Sequence, residues 1–178
     1  LLVYMDAGKI TVKKPLSSGS PVLLINLGTD VIRYDFEVDS RFQLSSVTCS
    51  AWDSKTLKMV DSQSAEPALS PHGNLQGKKL ADGLNANPAL YGASAPLEKE
   101  ETKNWADALL LKSRLAKMTG TVTFFGNALP KLNTLVQLSG FGARFNGNPM
   151  VSSIRHELHS GSWQTTLGFG MPPEAYHE

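Results

Sequence analysis

Alternating apolar and polar residues predict β-strands over the first part of the chain. Residues 31–39 alternate almost without interruption, so four apolar and four charged side chains fall on opposite faces of a strand. The apolar face holds Ile32, Tyr34, Phe36 and Val38. The charged face holds Arg33, Asp35, Glu37 and Asp39. Residues 9–13, 22–25 and 41–52 favour further strands, and residues 1–60 are therefore predicted to be a region of β-strands.

One amphipathic helix is predicted over about residues 98–118. Its apolar side chains recur at spacings of three and four, which places them on one stripe. The stripe includes Trp105, Ala108, Leu109, Leu115 and Met118. Glutamates occupy the first turns and Lys or Arg the last turns, in agreement with the helix macrodipole. Pro96 precedes the helix, and Gly120 stands where a left-handed cap is expected.

The chain after this helix is predicted to return to β structure, in segments 121–125, 134–139, 151–159 and 163–169. Short turns rich in glycine and asparagine separate the segments, so we expect consecutive strands to pair as antiparallel hairpins. These strands exceed what a flat sheet under one helix needs, which favours a barrel or a strongly curved sheet. The predicted fold class is a β-rich α+β, antiparallel barrel-like domain, with residues 98–178 completing the barrel.

Residues 61–97 interrupt this pattern. They hold four prolines and four glycines and show no sustained hydrophobic period, so they are predicted to be a loop-rich insert or linker. A structureless loop of this length is uncommon inside a compact domain. Two arrangements stay open: an excursion over the surface, or packing in short pieces. The side chains available for such packing are Leu80, Leu84, Leu90 and Tyr91.

Length and charge narrow the class of protein. The chain has 178 residues, of which 41% are hydrophobic, enough for one ordinary domain or two small ones. Its formal net charge of +1 gives no global positive field, so nucleic-acid binding is not expected. No apolar run reaches the roughly 20 residues that cross a bilayer. The chain begins at Leu1 without a signal-peptide pattern, and we expect it to be a piece of a longer protein.

Candidate metal-binding and acid–base residues are scattered. His156 and His159 fall in one predicted strand at a spacing that puts them on opposite faces, so we do not expect a shared metal ion. Asp35, Glu37 and Asp39 share a strand face at about 7 Å spacing, which a glycosidase tolerates. Solvated strand faces carry such charges routinely, which favours a structural interpretation.

The single cysteine, Cys49, is predicted to be a small buried apolar group, because no histidine lies near it in sequence and no second thiol is present. The sequence also holds no Gly-x-Ser-x-Gly elbow, and its glycines do not form a phosphate-binding loop between a strand and a helix. We therefore predict no catalytic residue, no cofactor and no metal site.

Aromatic side chains are concentrated in the last third of the chain. They include Phe124, Phe125, Phe141, Phe145, Trp163 and Phe169. Together with Arg144 and Arg155 they suggest a stacking surface for nucleic acid, but the neutral charge argues against it. A subunit interface is the simpler interpretation, with Phe141, Arg144 and Phe145 as candidate exposed anchors.

Six segments of the chain, taken in order, are similar to segments of one known protein group. They are residues 6–12 (DAGKITV), 27–41 (LGTDVIRYDFEVDSR), 50–53 (SAWD), 106–122 (ADALLLKSRLAKMTGTV), 140–147 (GFGARFNG) and 154–163 (IRHELHSGSW). With these segments the chain resembles the hub region of Vgr-type spike proteins, the Rhs element Vgr protein group. The resemblance covers nearly the whole chain except about residues 61–96.

This resemblance implies a structural, non-catalytic hub fragment that links tube and spike in a type VI secretion system or a related phage-tail-like contractile injection machine. It implies a homotrimer in the intact protein, with the tube protein and spike or needle components as partners. It implies no nucleic acid, no small-molecule substrate, and membrane contact only through regions outside this chain. It further implies assembly in the bacterial cytoplasm, followed by outward delivery within the apparatus.

The alternative function is a carbohydrate- or peptide-binding β-module. That function requires exposed tryptophans along a groove, and the chain has three: Trp52, Trp105 and Trp163. Trp105 falls on the predicted helix stripe, which makes a core position the better interpretation for it.

Overall fold

The computed structural model of the chain describes residues 1–6 and 8–171. Two units gather segments from distant parts of the sequence. The first comprises Leu1–Glu37, Ala68–Asn74 and Met118–Gly170, and the second comprises Val38–Pro67 and Leu75–Lys117 together with Met171. Each unit draws on all three consecutive regions predicted from the sequence, 1–60, 61–97 and 98–178, whose separate roles stay a prediction.

Strands predominate in the described residues. The strands are β1 (Leu2–Asp6), β2 (Lys9–Lys13), β3 (Leu24–Asn26), β4 (Val31–Val38), β5 (Val47–Asp53), β6 (Lys58–Gln63), β7 (Ala89–Gly92), β8 (Met118–Phe125), β9 (Gln137–Ser139), β10 (Val151–His159) and β11 (Ser162–Phe169). The helices are α1 (Gly77–Gly83) and α2 (Lys99–Leu115). The chain is thus β-rich with two helices in the part that the structure describes.

The first unit contains three small sheets. Strands β1 and β2 form an antiparallel hairpin, β3 and β9 form a parallel pair, and four strands are ordered β10-β11-β8-β4. A single apolar core packs against the four-stranded sheet. Its buried members are Ile25, Val122, Phe124, Val136, Leu138, Phe141, Val151, Leu167 and Phe169.

The second unit is a three-stranded sheet, ordered β6-β5-β7, with helix α2 against it. Strand β5 buries every second residue, and its Val47 and Cys49 pack on Ala106 and Leu110 of the helix. The buried face of β5, which repeats every two residues, therefore packs on the apolar stripe of α2, which repeats every three and four residues. This is the packing expected of a sheet covered on one face by an amphipathic helix.

A buried arginine joins α2 to two neighbouring segments of the second unit. Arg114, only 3% exposed, donates through Nε and Nη2 to the two carboxylate oxygens of Glu66, at 2.6 and 2.9 Å. Its Nη1 donates to the carbonyl oxygen of Leu44 at 2.8 Å. The hydroxyl of Ser113 donates to the carbonyl oxygen of Phe42 at 2.8 Å. These bonds hold the end of the helix to the chain before β5 and after β6.

The predicted helix is confirmed, although its bounds differ. A capping box starts it, because the Glu98 backbone N–H donates to the Glu101 carboxylate at 2.9 Å. The helix ends at Leu115, and Met118, assigned to its apolar stripe, instead begins β8. Met118 is buried. A buried methionine fits the last turn of a helix and the first residue of a strand equally well, so the hydrophobic pattern alone does not mark where the helix stops.

Three features of the predicted architecture are wrong. No closed barrel is found in the described residues, where the strands form separate sheets. One helix was predicted, but a second helix, α1, is present and β7 follows it; both lie within residues 61–97, whose assignment as a loop-rich insert or linker stays a prediction. Of the hairpins predicted after the helix, β10–β11 is present, but β9 pairs in parallel with β3, and β8 pairs with β11. Long crossovers create these pairings, and short turns give no signal for them.

Candidate assembly surface

A cluster of aromatic rings lies at the edge strand of the four-stranded sheet. The ring centroid of Phe36 lies 5.5 Å from Tyr34, 5.3 Å from Phe141 and 5.5 Å from Phe145. Phe141 meets Tyr34 edge to face at 5.2 Å. Such arrangements contribute roughly 1 kcal/mol per pair beyond the buried area. The cluster fixes β4 against the segment that follows β9.

The segment 140–147 is a compact turn built by glycine and asparagine. Gly140 and Gly142 have φ values of 85° and 83°, which side chains rarely allow. The Phe141 backbone N–H donates to Oδ1 of Asn146 at 2.8 Å, and the Phe145 backbone N–H donates to the carbonyl oxygen of Gly142 at 3.1 Å. The turn therefore directs both phenylalanines to the same side.

The three candidate interface residues take different positions in this turn. Phe141 is 8% exposed and belongs to the apolar core, and Phe145 is half-buried against that core. The expectation that both phenylalanines are exposed is therefore wrong, because the aromatic cluster covers them. Arg144 is exposed, and Tyr34, which was placed on the apolar face of its strand but not among the interface candidates, is 47% exposed beside the cluster. The interface role of Phe141, Arg144 and Phe145 stays a prediction.

The β1–β2 hairpin presents an apolar face that the sequence did not identify. Val3 pairs with Val12 and Met5 pairs with Ile10, so the four side chains share one face. They are between 54% and 76% exposed. Sequence alternation fails here because residues 1–5 are all apolar, and no polar position marks the solvent side.

Strand β4 is half-covered on its apolar face. Its polar residues, Arg33, Asp35 and Glu37, are exposed as predicted. On the other face Phe36 packs against the core, but Ile32 and Tyr34 remain largely exposed. The strand predicted to have one solvated face therefore presents apolar surface on its second face as well.

The far end of the β10–β11 hairpin carries a smaller apolar patch. Leu158 pairs with Trp163, and both are exposed. Gly126 lies under the Trp163 ring, where a Cβ atom would overlap the indole, and its N–H donates to the Trp163 carbonyl oxygen at 2.7 Å. The His156 ring lies 5.9 Å from the Trp163 ring.

The candidate metal and thiol residues do not assemble into a reactive site. His156 is an exposed residue whose Nδ1 lies 3.0 Å from Oγ1 of Thr165, and no group of three potential ligands that could hold a metal ion occurs among residues 1–6 and 8–171. Cys49 is buried, as predicted, and desolvation raises the pKa of its thiol.

The candidate acidic residues Asp35, Glu37 and Asp39 do not form an acid–base pair suited to catalysis. Asp35 and Glu37 are solvent-exposed on β4. Asp39 follows the strand, and its carboxylate accepts three hydrogen bonds from the Arg41 guanidinium, the shortest at 2.7 Å. These bonds lower the pKa of the Asp39 carboxyl, which is the opposite of what a general acid needs.

The tryptophans of the alternative function occupy unlike environments. Trp105 packs partly buried against the core of the second unit, 6.1 Å from the ring of Tyr91. Trp52 is exposed on β5, and Trp163 lies in the first unit. Trp105 is therefore a packing residue, as the helix stripe predicted.

Residues 1–160 match the family model described as the Alg8 N-terminal domain. The chain belongs to this family. The assignment differs from the Vgr-type resemblance drawn from the sequence, and the matched residues include parts of both units, but not strand β11. No curated protein matches the chain.

Solved structures show the fold of this Alg8 N-terminal domain. It is similar over 99% of its length to the crystal structure of a 43 kDa tail protein of prophage MuSo2 from Shewanella oneidensis, with a TM-score of 0.67 and 14% identity. It is also similar over 94% of its length to a tail protein from Neisseria meningitidis MC58, with a TM-score of 0.54 and 17% identity. The chain has a phage-tail-protein fold and spans about half of each protein, 52% and 49%.

Neither helix of the described chain is long and apolar enough to cross a membrane.

Proposed function

We propose that this chain is the hub portion of a tail-type structural protein, which links tube and spike in a phage-tail-like contractile injection machine. The observation that carries the proposal is the likeness to the MuSo2 tail protein over 99% of the chain. The Vgr-type segments in the sequence support the finer assignment, a hub of the type VI secretion spike. The chain acts as a non-catalytic scaffold.

We propose further that the intact protein is a homotrimer whose partners are the tube protein and the spike or needle. The exposed apolar faces of the β1–β2 hairpin and of β4 support this, because monomeric proteins rarely leave several such faces in contact with water. Arg144, exposed on the turn beside the aromatic cluster, is the candidate polar contact at a subunit boundary. Assembly takes place in the bacterial cytoplasm, and the finished apparatus carries the protein outward.

Purification of tail-like particles from cells that express the tagged intact protein tests this function. The protein is expected to copurify with the tube and to be present as three copies per particle, measured by quantitative mass spectrometry. Arg144→Glu is expected to lower its incorporation, and Arg155→Glu, on the exposed face of β10, is the matched control. Particles that assemble normally without the protein would contradict the proposal.

A further inference from the structure

We propose that the β1–β2 hairpin of one copy of this chain adds, along the edge of β2, to the edge of β4 in a second copy. The inference rests on the proposed ring of identical subunits and names the contact between neighbours. In the resulting assembly the four-stranded sheet of one subunit continues into the hairpin of the next.

Both strand edges are open in the part of the chain that the structure describes. Strand β4 is hydrogen-bonded to β8 on one side, and β2 is hydrogen-bonded to β1 on one side. The other side of each strand has no strand neighbour within residues 1–6 and 8–171. An open edge is a template for another strand, since its N–H and C=O groups pair with any extended chain that approaches it.

The apolar faces of the two edges match. Ile10 and Val12 lie on one face of β2, next to Met5 and Val3 of β1. Ile32 and Tyr34 lie on one face of β4 and continue into the aromatic cluster. Joining the edges makes these side chains neighbours on one face, and a single apolar surface then runs across both subunits.

Edge pairing gives the hairpin a third strand. An isolated two-stranded hairpin is marginally stable in water, and three or more strands make a sheet stable. Pairing β2 with β4 therefore stabilises the hairpin through backbone hydrogen bonds along the shared edge. The side chains of Ile10 and Val12 then gain Ile32 and Tyr34 as cross-strand neighbours on the same face.

The opposite faces of the two edges carry complementary charge. Lys9 and Lys13 lie on the polar face of β2, and Asp35 and Glu37 lie on the polar face of β4. In sequence the hairpin and its exit hold three lysines against one aspartate, and β4 holds two carboxylates against one arginine. Opposite charges across neighbouring strands favour pairing, and like charges oppose it.

These matches select a second copy as the occupant. The same chain supplies a basic edge and an acidic edge, each backed by apolar side chains. The contact joins two different surfaces, so it is heterologous, and a heterologous contact repeats from copy to copy and forms a ring when the rotation between copies closes. A homotrimer is one such ring.

Charge reversal tests the contact. One variant carries Lys9→Glu and Lys13→Glu, a second carries Asp35→Lys and Glu37→Lys, and a third combines all four changes. The mass of the full chain is measured by light scattering over a concentration series, with circular dichroism as a check on folding. The matched control reverses an exposed pair on β10, Arg155→Glu with Glu157→Lys.

Each double variant is expected to weaken self-association about tenfold, and the fourfold variant is expected to restore it. Restoration supports a contact between two copies of this chain. The contact is overturned if the wild-type chain stays monomeric at every concentration, if the reversals leave association unchanged, or if the fourfold variant fails to restore it. The last result assigns the hairpin to a different partner. Copurification with particles is a separate measurement, so the tail-type function can hold where this contact fails.

Discussion

The two units hold their interiors together in different ways. All but one of the buried polar residues in the described chain belong to the second unit. They are Gln43, Asp53, Ser62, Thr102, Ser113 and Arg114, and the first unit buries only Thr165 of this class. The first unit instead packs aliphatic and aromatic side chains.

The difference indicates which interactions make the fold of each unit unique. A buried polar group requires a partner in one geometry, so the second unit defines its fold through named hydrogen bonds. The first unit defines its core by shape and, in the described residues, leaves the outer edges of β2 and β4 and an apolar hairpin face uncovered. The first unit therefore has the exposed strand edges and apolar surface expected of a region that binds another protein molecule.

The aromatic cluster is the feature whose loss should cost most. Phe141→Ala removes a buried ring from the core of the first unit and is expected to lower the free energy of unfolding by about 3–5 kcal/mol. Urea unfolding measures the loss, and hydrogen exchange should rise most in β8 and β11. Phe125→Ala is the control, because this ring is exposed on the same sheet, and its effect should stay within about 0.5 kcal/mol. Equal losses for both variants would contradict the description of the core.

The buried arginine is the corresponding feature of the second unit. Arg114→Met breaks its paired hydrogen bonds to Glu66 and leaves the Leu44 carbonyl without this donor, at an expected cost of about 3 kcal/mol. Urea unfolding again gives the value. The control is Arg155→Met, since its pair with Glu157 is solvent-exposed and should contribute under about 1 kcal/mol. A neutral Arg114→Met would mean that polar contacts do not define this unit.

A backbone contact in the first unit should have an intermediate effect. Gly120 has a φ of 154°, and a Cβ atom there would overlap the carbonyl oxygen of Asp35, so Gly120→Ala should separate β8 from β4. We expect a loss of about 2 kcal/mol, measured by thermal unfolding. Gly28→Ala, where a Cβ atom meets only ordinary contacts, is the control. An unchanged melting temperature for Gly120→Ala would show that the two strands are not in close contact.

The turn after β5 should give the smallest effect, and one that depends on pH. Asp53 accepts hydrogen bonds from the backbone N–H of Lys55 and the hydroxyl of Thr56, both at 2.8 Å, and these bonds lower the pKa of its carboxyl. A lowered pKa in the folded state adds stability above the unfolded pKa of about 4, and this stability disappears as the pH falls through the folded pKa.

Asp53→Asn is therefore expected to lower the unfolding midpoint at pH 7, and the difference from wild type should shrink below about pH 4. Asp61→Asn, exposed on β6, serves as the control at pH 7. A difference that is constant across this pH range would contradict the hydrogen bonds to the ionised carboxylate.

The sequence predicted elements whose signals are local. Residues 31–39 alternate in polarity and form β4, and Glu98 with Glu101 starts the one helix that has matching charges and caps. The same logic failed where pairing joins distant segments, because nothing in residues 24–26 indicates a parallel partner at residues 137–139. Helix α1 was missed because it is short and has no side-chain cap.

The candidate surface was only partly predictable for a related reason. An aromatic residue in a glycine-rich turn can face water or the core, and the choice for Phe141 depends on Tyr34 and Phe36, which are more than one hundred positions away in sequence. The apolar face of the β1–β2 hairpin was missed because its first strand lacks polar residues that would mark the other side.

The burial of Cys49 has a practical consequence for work on this protein. The chain has no other cysteine, and this thiol is screened from solvent and kept protonated by its surroundings. A cysteine introduced at any exposed position therefore becomes the single accessible point for a fluorophore or spin label, without removal of the native residue. Distances between labels on neighbouring molecules can then be measured by resonance methods on an otherwise unaltered chain.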